Sequence, residues 1–477
     1  MYRTLTFAVL FFALAQAATS AAPPERTSTV ADRTLVNVTV YNGGIALIHD
    51  RRRVTLDEGL NRIAWRDVSG SMDATSALLQ NLSPQNSVAV LEQNFDYDLV
   101  DPSALLQKYV GREVTIVHPA RFAGERDTRE TARVLSAGEN GDVVLQYRDR
   151  IETGVRGYIV YPTAPGTFRD RPTLVLDVQS RQAGSDLLDL SYLTSGMSWR
   201  ADYVGTLDRD ERRLSLTGLV TISNTSGASY ENARLQLVAG NVNIVEPPAP
   251  LVRAVSAADV YAVNPQVAQE NYFEYHLYTF PRATDILDNQ TKQLSLLAAR
   301  DVPVVKTLEL RGSRDYYEMA NPDLGDRLPV GVYVSFENRG GGLGIPLPGG
   351  IVRIYQDDSR GISQFLGSDQ IEHTPRNQTV RLHLGNSFDV TARKKQTDFQ
   401  LASNCSADSS YQIVLANAKD TPAEVLVVEP IPGDWQILNE SLPHVKSSAS
   451  TASWKVRVAP GSSTTLAYTA RVRWCAR

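Results

Sequence analysis

Arg200, Asp202 and His276 are the side chains whose types suit acid–base chemistry in the middle of this chain. Arg200 and Asp202 belong to the run Ser195-Gly196-Met197-Ser198-Trp199-Arg200-Ala201-Asp202-Tyr203, its densest group of potentially functional residues. On a β-strand, successive side chains alternate between faces. Trp199, Ala201 and Tyr203 then share one face, and Arg200 and Asp202 share the other. Such a strand presents a binding surface, or an acid–base pair that His276 could complete from a distant segment. The same pattern also fits core aromatics backed by an ion pair that ties neighbouring strands.

Other chemistries lack their signatures. His49, His118, His276, His373, His383 and His444 include no H-x-x-x-H or H-x-H pair, so neither a metal site nor a cofactor is expected. Gly196-Met197-Ser198-Trp199 lacks the second glycine of a nucleophile elbow. The Gly/Pro-rich stretch 339–350 has no phosphate-cradling pattern and reads as a hairpin loop. Cys405 and Cys475 are the only cysteines, and in an exported chain the simplest arrangement is one disulfide between them.

The elements that must position these residues are strands. Residues 214–222 and 465–474 alternate apolar with polar side chains, as half-buried antiparallel strands do. Asn42-Gly43-Gly44, Asn140-Gly141 and residues 224–227 mark turns between such runs. One helix is signalled, from an Asp101 cap and Pro102 to a stop at Gly111. The short strands that follow it suggest a small SH3-like barrel. The predicted fold is all-β: an N-terminal β region over 30–100, the small barrel over 101–165, and an antiparallel central β-sandwich over 166–388. An immunoglobulin-like C-terminal sandwich follows over 389–477. Prolines 247, 248 and 250 open a stretch with no strand period, so 246–270 is expected to be a flexible loop.

Arg3 followed by the apolar residues 5–15 and the small residues around Ala17 reads as a signal peptide spanning 1–21. That run is about half the ~20 residues a membrane span needs. No cysteine stands near the cleavage site for a lipid anchor, and no later stretch is apolar enough to span. The mature chain is therefore expected in the periplasm or outside the cell. Net charge is −5 with both signs interspersed, which argues against nucleic acid as a partner. The basic runs Arg51-Arg52-Arg53 and Arg393-Lys394-Lys395 read as solvated strand faces.

Several segments carry a resemblance. Residues 190–204 look like the signature of a bacterial family, domain of unknown function 4139 (DUF4139), which includes the mucoidy-inhibitor-like proteins. Residues 218–227, 237–242, 273–278, 289–293, 344–348 and 428–435 are similar to it, as are Val38-Thr39-Val40-Tyr41-Asn42-Gly43 and residues 91–99. The resemblance implies an exported β-protein with no established activity, so no catalytic residues carry over. The mucoidy-inhibitor branch has a long coiled-coil insertion that this sequence lacks. The expected function is non-enzymatic: binding an envelope protein, a polysaccharide or further copies of the chain. The alternative is a hydrolase built on Arg200, Asp202 and His276. The 246–270 loop and the turn near Gly341 are the expected contact regions.

Overall fold

The computed structural model describes residues 23–97, 102–120, 126–138, 142–163, 169–240, 268–272, 274–321, 324–403 and 405–474. The signal segment 1–21, most of the 246–270 loop, Asp101, the Asn140-Gly141 turn and Cys475 lie outside them. The described chain is nearly all β: thirty-one strands, one α-helix and three short 3-10 turns. It divides into two compact units. One comprises the chain up to Val36 together with Leu47–Thr194; the other comprises Asn37–Ala46 and the chain from Ser195 onward.

In the first unit, Gly59–Arg66 and Thr173–Ser180 pair antiparallel over their whole length. Glu25–Ser28 and Val88–Asp96 flank them in a four-stranded sheet. Alternation sets the inner face, where Ile63, Trp65, Leu174, Leu176 and Val178 are fully buried. The middle of the first basic run is buried as well. Arg52 is 0% exposed and donates from Nη2 to Asp50 at 2.6 Å. Arg33 and the Trp65 indole also donate to Asp50. The reading of this run as a solvated face therefore fails at its centre, because a period of two turns the middle residue inward. A carboxylate waiting there makes the burial affordable.

The single helix, Pro102–Lys108, lies where its signals placed it. Five strands follow, in the order Ile151–Thr153, Val143–Gln146, Thr128–Ala137, Glu113–His118, Tyr158–Val160. Leu106, Tyr109, Val114, Ile116, Val134 and Leu145 form their core. The expected barrel is not closed. Among the described residues Ile151–Thr153 and Tyr158–Val160 are the two edges of an open sheet.

The second unit is built on a long sheet. Met197–Leu207 pairs antiparallel with Arg213–Asn224 on one side and parallel with Gly350–Asp357 on the other. Ser363–Ile371 adds beyond Gly350–Asp357, and Gln290–Arg311 lies along Arg213–Asn224. The stretch 339–350 is thus no hairpin. The strands it joins, Gly331–Glu337 and Gly350–Asp357, pair with other partners, so it is a crossover. Its turn near Gly341 packs on Gln290–Arg311, where Arg300 N–H donates to the Gly341 carbonyl at 3.2 Å.

At the C-terminal end, Val390–Ser403, Ser406–Asn417, Ser462–Arg473 and Asp434–Glu440 form one antiparallel sheet. Ala423–Pro430, Thr451–Val458 and Val445–Ser448 form the facing layer, and the core includes Tyr411, Ile413, Val425, Val427, Trp454 and Leu466. The facing layer is not a separate sheet: Gln290–Arg311 pairs parallel with Ala423–Pro430, so the C-terminal β-sandwich shares one of its two layers with the long sheet. The second basic run repeats the lesson of the first. Lys394, its centre, is 1% exposed and paired with the buried Glu429.

Candidate functional site

The strand Met197–Leu207 enters from a tight turn at Gly196, where φ is +80° and the Thr225 N–H donates to the Gly196 carbonyl at 2.7 Å. Trp199, Ala201 and Tyr203 face the core, as alternation requires. The Trp199 indole donates to the Val238 carbonyl and meets the Tyr278 ring edge-on. The hydroxyls of Tyr203 and Tyr278 donate to the carbonyls of Pro348 and Pro346. Two buried tyrosines thereby pin the Gly344–Pro348 part of the crossover. Gly218 leaves room for the Tyr203 ring; a Cβ there would stand 3.1 Å from it.

The opposite face carries the polar residues. Asp202 is 4% exposed. Its Oδ2 accepts from Thr221 Oγ1 at 2.9 Å and from Arg200 Nε at 3.1 Å. Its Oδ1 accepts from Arg353 Nη1 at 3.1 Å. Gln293 donates to Thr221 Oγ1 and backs the arrangement from the next strand. One carboxylate therefore holds two guanidinium groups. Their outer parts stay open, with the side chains of Arg200 and Arg353 61% and 38% exposed. Among the described contacts neither arginine has another hydrogen-bond partner.

His276 stands elsewhere, on Tyr275–Thr279 opposite Ala239. Its Nδ1 meets Gln269 Nε2 at 3.1 Å, where the amide nitrogen can only donate. Burial, with His373 nearby, holds the imidazole below its ordinary pKa, so it is the neutral ring that accepts this bond. No described hydrogen bond or ion pair links His276 to Arg200 or Asp202. The structure joins two of the three candidates and leaves the third apart. Cavities lined by Phe280–Ser295 residues, by Arg327–Thr391 residues, and by Leu106, Val143 and Tyr161 include none of the three.

Cys405 lies between Val390–Ser403 and Ser406–Asn417, and the Trp474 N–H donates to its carbonyl at 3.0 Å. Among the described residues no group of three or more His, Cys, Asp or Glu side chains is placed to hold a metal ion.

Sequence reading missed Arg353, which comes from a strand about 150 residues away in the chain. It also missed the closed cluster around Lys394. There Nζ lies 4.4 Å from the Tyr316 ring centre and 4.7 Å from that of Tyr411. Tyr317 donates to Glu429 and shares a 2.8 Å hydroxyl–hydroxyl contact with Tyr468. Burial pushes both phenols well above their usual range. A lysine at an even position of an alternating strand was the available signal.

The model of the family described as Domain of unknown function (DUF4139) matches residues 188–476. The chain belongs to the DUF4139 family. Comparison with curated proteins gives no match. The DUF4139 match takes in every residue around Asp202 and the whole Lys394 cluster, so both features lie within the family's own domain. Among the described residues of this DUF4139 protein no helix is long and apolar enough to cross a membrane.

Proposed function

We propose that this chain is an exported, non-enzymatic binding protein of the cell envelope or secreted space. The observation that carries the reading is the state of Asp202. A general base needs a free lone pair in a place where substrate can reach it. Asp202 is buried, accepts from a hydroxyl, and is neutralised by two arginines. What this assembly offers to solvent is not the carboxylate but the two guanidinium groups it holds. Guanidinium groups fixed in this way recognise carboxylates and other oxyanions.

The segment 1–21 supports export, and a Cys405–Cys475 bridge would suit an oxidising compartment. The likeness of residues 190–204 to the DUF4139 signature supports a relation to the mucoidy-inhibitor-like proteins, without the long coiled-coil insertion of that branch. The partner is an envelope protein or surface polymer, and self-association would use the same kind of exposed sheet face.

The test is retention on envelope. Envelope fragments from cells lacking the protein are mixed with mature protein and pelleted. Saturable co-sedimentation is expected, and Phe365→Ala, on the exposed sheet face beside Arg353, should weaken it. A wild-type protein that stays in the supernatant at every concentration refutes the binding role.

A further inference from the structure

We infer that the face around Asp202 binds a carboxylate-bearing polysaccharide. This rests on the binding role proposed above and names its ligand class.

Antiparallel partners directly opposite each other, and parallel partners in register, share a face. Val204 stands beside Arg353, and Thr206 beside Tyr355. Arg200, Asp202, Val204 and Thr206 therefore lie on one face with Ile351, Arg353 and Tyr355. Tyr355 meets Phe365 of the neighbouring strand edge-on, with ring centres 5.4 Å apart. Phe365 is 57% exposed, and Ile351 and Val204 nearly 40% each. From Arg200 to the level of Tyr355 the face runs six residues, about 20 Å at ~3.3 Å per residue. A strip of that length suits a chain of repeating units better than a small molecule.

Charge selects the class. Arg200 and Arg353 share Asp202, so the cluster keeps a net positive charge at its solvent side. The carboxylate's attraction for both cations offsets their mutual repulsion, so they are set before any ligand arrives. Asp357, two residues past Tyr355, ends the face with a negative charge. An acidic group is thus received at one end. The exposed aromatic pair at the other offers ring faces and edges to the C–H faces of a sugar ring. A neutral glycan would leave the arginines unused, and an acidic polypeptide would leave the rings without a flat partner.

The experiment is affinity electrophoresis of the mature protein in native gels containing polygalacturonate, dextran or poly-glutamate. Polygalacturonate should retard the wild-type protein, with the other two having little effect, and added salt should weaken the retardation. Arg200→Gln leaves Asp202 bound to Arg353 and Thr221, so it should fold. It should bind about tenfold more weakly, the loss of one charged hydrogen-bonding group. Phe365→Ala, at an exposed position, should also weaken binding. Arg311→Gln removes the same charge from a different exposed site and should bind as wild type. Equal retardation by dextran or poly-glutamate, or equal loss in Arg200→Gln and Arg311→Gln, overturns the proposal. If polygalacturonate is not bound but Phe365-dependent envelope retention persists, the ligand class falls and the binding role stands. If retention is also absent, both fall.

Discussion

The Nζ of Lys394 lies 2.8 and 2.7 Å from the two carboxylate oxygens of Glu429, and both side chains are sealed from solvent. They come from facing layers of the C-terminal sandwich, so the pair joins the two sheets through their core. Burial lowers the lysine's pKa, while Glu429 works the other way and favours the ammonium.

A buried pair is costly to break and cheap to replace as a whole. Lys394→Met should therefore destabilise the protein by about 3–5 kcal/mol, through the stranded carboxylate. Lys394→Met combined with Glu429→Leu should recover much of that loss. Urea unfolding of the two variants checks this. A double variant as unstable as the single one would mean that the tyrosines, not the charges, hold the site.

Asp50 gives a pH dependence. Burial alone would raise its pKa, but Arg52 and Arg33 outweigh burial and hold it below the usual carboxylate range. A depressed carboxylate adds stability that is full above its unfolded pKa, about 3.9. That stability is lost as pH falls through the lower folded value. The unfolding midpoint should fall steeply on acidification below about pH 4. Asp50→Asn should be less stable at neutral pH and flatter with acid. A variant that keeps the wild-type acid slope would assign that slope to other carboxylates.

The cysteine bridge has a direct check. Ser406 and Arg473 are paired across neighbouring strands, and the Trp474 N–H donates to the Cys405 carbonyl, so Cys405 lies at the end of the last described strand. Non-reducing peptide mapping of exported protein should recover the two cysteines in one linked fragment. Reduction should cost about 4 kcal/mol for a loop of this length. Two free thiols would remove the bridge from the account.

Gly350 tests the parallel pairing that brings Arg353 to Asp202. A Cβ there would stand 2.2 Å from the Ala201 carbonyl oxygen. Gly350→Ala should destabilise by roughly 1–3 kcal/mol, as overpacking does. It should also weaken ligand binding more than an equally destabilising change in the C-terminal sandwich. Unchanged thermal stability would contradict the close approach of these strands.

Much of the fold was legible because alternation is local. The single helix, the strand through Trp199 and Tyr203, and the C-terminal sandwich all follow from side-chain period and turn residues. What stayed hidden depends on pairing between distant segments. Nothing near Gly350 in the chain announces that its strand runs parallel to Met197–Leu207, so the second arginine on Asp202 could not be foreseen. The two basic runs misled for a related reason. Charge composition suggested solvent, while the period of two placed Arg52 and Lys394 inside, Arg52 beside Asp50 on the same strand face and Lys394 against Glu429 from the facing layer. The closed barrel failed because hydrophobic period sets which face is buried, not whether the edge strands meet.

Complementation of a deletion strain tests the central claim most directly, using Arg200→Gln and His276→Ala proteins that are exported and folded to wild-type levels. If the chain acts by binding through the face that Asp202 organises, His276→Ala restores the wild-type phenotype and Arg200→Gln does not. Failure of His276→Ala together with full rescue by Arg200→Gln would contradict the account and turn attention to chemistry at the histidine.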